Sequence, residues 1–283
     1  MSIQFVVDSA SDILSAEAAA LGIRVLPLQV IFGGKTYRDG VDLDHEAFYQ
    51  MLEQSKELPT TSQISPGDFD DAFRELTDQG HTVIAITVSS HLSGTWQSAM
   101  IAAGDYPGKV FVVDSGSAAI GQRILLLRGL ELVRQGLSAE ETAGRLEEEK
   151  ARIRVIAMID TLDYLKKGGR ISAATALAGS VLSVKPAIEI RNGQVAMVGK
   201  ARGVRQGNAL LRQKILDYGG VDFQRPLAFV TSGRDDSRIR QFLAENEDLW
   251  QGSPLPVCSL GCAIGTHVGP GAWGIAFFQP ESR

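Results

Sequence analysis

The chain has 283 residues, 44% of them hydrophobic and 22% charged, and its 28 Lys and Arg against 33 Asp and Glu leave a formal charge of −5. These proportions exclude collagen-like, low-complexity and disulfide-framework chains, and they provide for a sizeable core in one large or two modest domains. Two cysteines, Cys258 and Cys262, are too few and wrongly spaced for a structural zinc site, and no basic block offers a footprint for nucleic acid or an anionic membrane.

The first cation is Arg24, and Asp8 and Asp12 interrupt the opening apolar run, so the start does not read as a secretory signal. Together with the low cysteine usage this points to a reducing cytoplasm. Short β-branched runs then alternate with helical periodicity, the pattern of βαβ units around a mainly parallel sheet. Strands are predicted at Ile3–Val7, Arg24–Phe32, Thr82–Val88, Val110–Val113 and Arg154–Ile159. Gly33-Gly34 and Asp39-Gly40 read as turns in an irregular insertion over about residues 27–60. Ser65-Pro66-Gly67-Asp68 supplies an N-cap, a proline at N1 and an acid at N3, which starts a helix with Phe69, Phe73 and Leu76 on one face. A leucine-rich helix runs from about Ala118 to a stop at Gly136, and Ser138 with Glu141 caps the next.

Past about Ile159 the pattern changes. Ala187–Ile190, Asn192-Gly193 and Gln194–Val198 read as a hairpin closed by a type I′ turn. A strand at Leu227–Thr231, a polar helix from about Asp235 to Glu245 and a final strand at Gly271–Phe278 complete a mixed second lobe, with the boundary near residue 160. From Leu249 to Pro280 there is no Asp, Glu, Lys or Arg. Pro254, Pro256, Pro270 and the glycines from Gly261 to Gly271 forbid the run of about 20 helical residues that a bilayer needs, so this segment must be buried or line a cavity.

Two strand ends echo one another: Phe5-Val6-Val7-Asp8-Ser9 and Phe111-Val112-Val113-Asp114-Ser115. In an open parallel sheet both turns leave at the carboxyl edge, where ligands bind, although Asp-Ser is also ordinary turn chemistry. The richest candidate is Ser89-Ser90-His91-Leu92-Ser93-Gly94-Thr95, after a strong strand. A helix beginning near Thr95 would place free N–H groups beside the Ser93 hydroxyl, a setting for an anion. A cap needs one hydroxyl and this segment has several. A second hydroxyl-rich loop, Thr60-Thr61-Ser62-Gln63, belongs to the same lobe. Neither contains Lys or Arg, which fits a single carboxylate better than a phosphate. Gly269 to Gly274 fits GxGxxG without the helix and acid that a dinucleotide site requires, and Gly34-Lys35-Thr36 lacks the rest of a P-loop. Ser93, His267 and Asp8 or Asp114 can be drawn as a hydrolase triad, but no GxSxG elbow is present. Lys166-Lys167-Gly168-Gly169-Arg170 reads first as helix-termination chemistry.

Taken together, the motifs resemble the DegV family of bacterial fatty-acid-binding proteins. They are Asp8-Ser9 with Asp12-Ile13, Pro27-Leu28 with Tyr37, Asp39-Gly40 and Asp42-Leu43, Thr61-Ser62-Gln63, Ser93-Gly94-Thr95 with Gln97-Ser98-Ala99, Asp114-Ser115, Leu162 to Ser172, Lys185-Pro186, and Gly265-Thr266-His267 with Gly269-Pro270-Gly271. Ile64 stands where that family usually has proline, and Thr231 at a strand end that often carries histidine. The resemblance implies an α/β fold of two lobes, a Rossmann-like three-layer parallel-sheet domain at 1–160 and a mixed-sheet α/β domain at 161–283, with one long-chain fatty acid enclosed between them. It implies a carboxylate site of Thr61 and Ser93 with Ser62, Thr95 and His267 around it, and a carrier without catalysis, cofactor or metal. It further implies a separate fatty acid kinase as partner, which makes the acyl-phosphate for phospholipid synthesis, with Arg170 and Arg202 as contacts. The rival from the residues alone is a serine hydrolase or acyltransferase using Ser93 and His267.

Overall fold

The computed structural model describes residues 2–172, 184–250, 252 and 254–281. Its strands in chain order are β1 (Ile3–Asp8), β2 (Arg24–Leu26), β3 (Gln29–Phe32), β4 (Lys35–Arg38), β5 (Thr60–Ser62), β6 (Thr82–Thr87), β7 (Val110–Asp114) and β8 (Ile153–Met158). The remaining strands are β9 (Val184–Arg191), β10 (Gln194–Arg202), β11 (Ala228–Thr231), β12 (Val257–Ser259) and β13 (Trp273–Phe278). They form an all-parallel sheet in the order β2-β1-β6-β7, a mixed sheet in the order β10-β9-β8-β13-β11-β12, and a small antiparallel sheet in the order β4-β3-β5.

Alternation along the parallel strands sends side chains to two cores. Phe5, Val7, Ile84, Ile86 and Val113 pack on the helices Ile120–Arg134 and Ala139–Glu149, while Val6, Val83 and Ala85 pack on Pro66–Asp78 and Thr95–Ala103. That is the expected three-layer lobe. The mixed sheet uses the same device: Ile188, Val230, Ala276 and Phe278 face the helix Ile120–Arg134, and Phe229, Trp273, Ile275 and Phe277 face Gly203–Asp217 and Ser237–Glu245. The helix Ile120–Arg134 is therefore a layer common to both sheets. Its Arg128 is buried, and the Nε hydrogen is donated to Glu149 Oε2 at 2.7 Å.

Local signals act as the chemistry predicts. The Ser65 hydroxyl accepts from Asp68 N while Asp68 accepts from Ser65 N, and Ser138 with Glu141 repeats the box. Asn192 and Gly193 have φ of 50° and 76°, closing the β9–β10 hairpin. Three expectations change. Arg24–Phe32 is two strands in different sheets, because Pro27 has no N–H for a ladder and the chain leaves the parallel sheet there. The insertion is ordered, holding β3, β4, β5 and the helix His45–Gln54. Finally, β8 pairs antiparallel with β9 and β13 in the mixed sheet, so sheet membership changes before Ile153 and not near residue 160. A β-branched run marks a strand, but its partner decides the sheet.

Candidate functional site

The lobes enclose a cavity of about 480 Å³ whose walls come from both. Its apolar wall includes Ala10, Leu28, Val88 and Ile120 from the first lobe and Val155, Leu165, Ile188 and Val230 beyond it. The charge-free stretch adds Leu260, Ala263, Ile264, Val268 and Ala272. Ala119 also lines the wall, in the strained backbone conformation φ 53°, ψ −136°. Most of the polar lining is one cluster: Thr61, Ser62, Gln63, Ser93, Arg170 and His267.

Thr61 lies on β5, which pairs with β3 through Val30, so the expected hydroxyl-rich loop is an edge strand of the small sheet. Ser93 precedes the helix Thr95–Ala103, which begins where the sequence places it. The Gln63 amide joins the two segments, donating Nε2–H to Ser98 Oγ at 3.0 Å across Gly94, where any Cβ would collide with the amide. His267, near the end of the helix Cys262–Val268, shares a 2.9 Å hydrogen bond between Nε2 and Thr61 Oγ1. Its Nδ1 is buried without a partner among the described residues. An orphaned lone pair costs less than an orphaned N–H, which puts the ring proton on Nε2 and makes it the donor to Thr61. The Thr61 hydroxyl hydrogen is then available to a ligand in the cavity. Burial, with the nearby Arg170 charge, pushes the His267 pKa down to about 4, so the ring is neutral at pH 7.

Two expected positions are placed differently. Thr95 is fully buried, and its hydroxyl is spent on Ser93 Oγ at 2.9 Å, outside the cavity wall. Arg170 is half-buried in that wall, donating Nε–H to Leu92 O at 3.1 Å and a second N–H to Gly168 O. It is not on an open docking surface. Arg202 is exposed at the end of β10, away from the cavity. Gln63, absent from the expected contacts, lines the cavity between the two hydroxyl segments.

The triad does not assemble. Among the described residues His267 bonds Thr61 through Nε2 and nothing through Nδ1, so neither Ser93 nor Asp8 or Asp114 is joined to it. Asp8 accepts from Ala10 N and Val88 N, and Asp114 from Ser90 N and Gly116 N. The echoed Asp-Ser turns therefore tie the sheet edge together and do not line this cavity, although Asp114 and Ser115 line a second one, of about 530 Å³, beside the β9–β10 hairpin. Among the described residues, no three His, Cys, Asp or Glu side chains are grouped to hold a metal ion, and no helix is long and apolar enough to cross a membrane.

Fold and site together define a two-lobed α/β protein with an apolar internal cavity and a hydroxyl-rich polar cluster in its wall. The chain belongs to the DegV family, whose model, described as an uncharacterised protein family, matches residues 2–280. A DegV domain-containing protein of Deinococcus radiodurans is 35% identical over 279 residues, 98% of each chain. The fold matches a fatty-acid-binding DegV family protein of Thermus thermophilus with a TM-score of 0.89 and 32% identity, covering 99% of this chain and 100% of that one. A stearic acid-binding protein of Eubacterium ventriosum matches with a TM-score of 0.85 and 28% identity over 97% of each chain.

Proposed function

We propose that this protein binds one long-chain fatty acid in the cavity, with the carboxylate at Thr61 and Ser93, and presents it to a separate fatty acid kinase for acyl-phosphate formation. The observation that carries the reading is that Thr61, Ser93, Arg170 and His267 all line one apolar cavity, with Thr61 bonded to His267. Fatty acid binding by the Thermus and Eubacterium proteins of the same fold supports it. Each buried CH₂ contributes roughly 0.8 kcal/mol, so the tail supplies most of the affinity and the head fixes orientation. Arg170, always charged and half-buried, complements the carboxylate, and in this reading it serves the ligand before any partner. Exposed Arg202 is assigned to the kinase.

Native mass spectrometry of the purified protein should give a mass excess of one fatty acid, and a clean apo mass under gentle conditions would refute the reading. Arg202→Glu should lower acyl-phosphate formation by the kinase while leaving lipid occupancy intact; equal loss of both would remove the partner assignment.

A further inference from the structure

The motif residues Asp12 and Asp39 do not themselves line the cavity, yet both are almost wholly buried. Their carboxylates go to the start of the helix Cys262–Val268. Asp12 Oδ1 accepts from Gly261 N at 2.8 Å, Asp39 Oδ1 from Cys262 N at 3.0 Å and Asp39 Oδ2 from Ala263 N at 3.3 Å. A helix of seven residues is too short to persist alone, and its N-cap, Gly261, has no side chain to offer. Its caps come instead from positions 249 and 223 residues away.

Asp39 is fixed in turn. Ser9 Oγ donates to Asp39 Oδ2 at 2.9 Å and accepts from Leu28 N at 3.0 Å, while Asp39 N donates to Leu28 O at 2.9 Å. Asp39 directly follows β4, and Thr61 is on β5, in the same three-stranded sheet. One sheet thus grips the helix at both ends: Asp39 holds its N-terminus, and Thr61 meets His267 near its C-terminus.

We propose that Asp39, seconded by Asp12, is a positioning residue for the polar cluster, setting through this helix the contact between His267 and Thr61. Its consequence for lipid retention rests on the fatty acid reading above; its consequence for His267 does not.

The test is Asp39→Asn, which keeps the shape but leaves one acceptor for three donors, with Ser9→Ala as a milder second variant that unfastens Asp39 without touching the helix. The His267 ring is titrated by NMR, lipid release is timed by native mass spectrometry, and Ser65→Ala, at an exposed cap outside the cavity lining, serves as a control for lost stability alone. Asp39→Asn should move the His267 midpoint from about 4 toward its ordinary 6.5 and speed lipid release about tenfold, with smaller changes in the same sense for Ser9→Ala and none for Ser65→Ala. A wild-type His267 titration in whichever of the two variants folds overturns the proposal. A wild-type protein without lipid, but with the titration shift in Asp39→Asn, overturns only the fatty acid reading.

Discussion

Thr61 and His267 stand 206 positions apart, yet their side chains meet at 2.9 Å. The strand that carries Thr61 belongs to the insertion, whereas His267 belongs to the charge-free stretch that returns from the mixed sheet to pack on it. The contact therefore exists only when both lobes are folded against each other. With Nε2–H donated to Thr61, the hydroxyl hydrogen is left for another acceptor.

Removing either hydroxyl should weaken lipid retention. Hydrogen bonds to a charged group are worth about 1.5–3 kcal/mol, so Thr61→Ala and Ser93→Ala should each raise the dissociation constant by about 10- to 150-fold. The double variant, measured by displacement of a fluorescent fatty acid, should be weaker than either. Wild-type affinity in the double variant would remove the head-group assignment.

Acid should act on stability in two opposing ways. Folded His267 stays neutral down to about 4, while the unfolded ring protonates at its ordinary 6.5, so stability is lost as pH falls through that window, by about 3 kcal/mol. Asp8 is the mirror case: burial raises its pKa from 3.8 to about 6 in the folded protein, so stability rises by about 3 kcal/mol as pH falls from 6 to 3.8. Asp12, raised by burial, acts in the same sense as Asp8. His267→Gln should uncover that gain: urea unfolding between pH 6 and 4 should show the variant becoming more stable relative to wild type as pH falls. Parallel pH curves for the two proteins would contradict the assignment.

Gly193→Ala should cost at least about 1–2 kcal/mol. The residue has φ of 76°, and an added Cβ would lie 2.6 Å from Ser89 Oγ, whose hydroxyl donates to Gly193 O at 2.8 Å. Pairing it with Ser89→Ala should not restore wild-type stability, because the backbone strain remains and the hydrogen bond between the lobes is lost. Thermal unfolding of the single and double variants reads this directly.

Ser65→Ala removes the hydroxyl half of a capping box and should lower stability by about 1 kcal/mol without changing lipid occupancy. Calorimetry and native mass spectrometry on the same preparation would separate the two effects.

Elements with local causes were legible in the chain. The buried strands β1, β6 and β7 are short runs rich in β-branched residues, the Asn192-Gly193 turn has the backbone freedom its type demands, and Ser65-Pro66 starts a helix by its own capping chemistry. What depended on a distant partner was not. Thr60–Ser62 is a strand only because β3 lies beside it, and β8 joins the mixed sheet only because β9 and β13 flank it. The site divides in the same way. Hydroxyl content points to the segments bearing Thr61 and Ser93, but residue type does not reveal direction: the Thr95 hydroxyl turns to Ser93, and the Arg170 side chain lies in the cavity wall. Asp39 was visible as a motif residue, and its use appears only where the chain returns at Cys262.

The helix Ile120–Arg134, shared by both sheets, bears on how the molecule comes apart. Neither lobe can shed it and keep its own core, so the two should melt as one cooperative unit with a single calorimetric peak. Its first residue also walls the cavity, and the other walls come from both lobes. A ligand held there is linked to the whole unfolding equilibrium, and loading should raise that one melting temperature in proportion to the logarithm of free ligand over its dissociation constant.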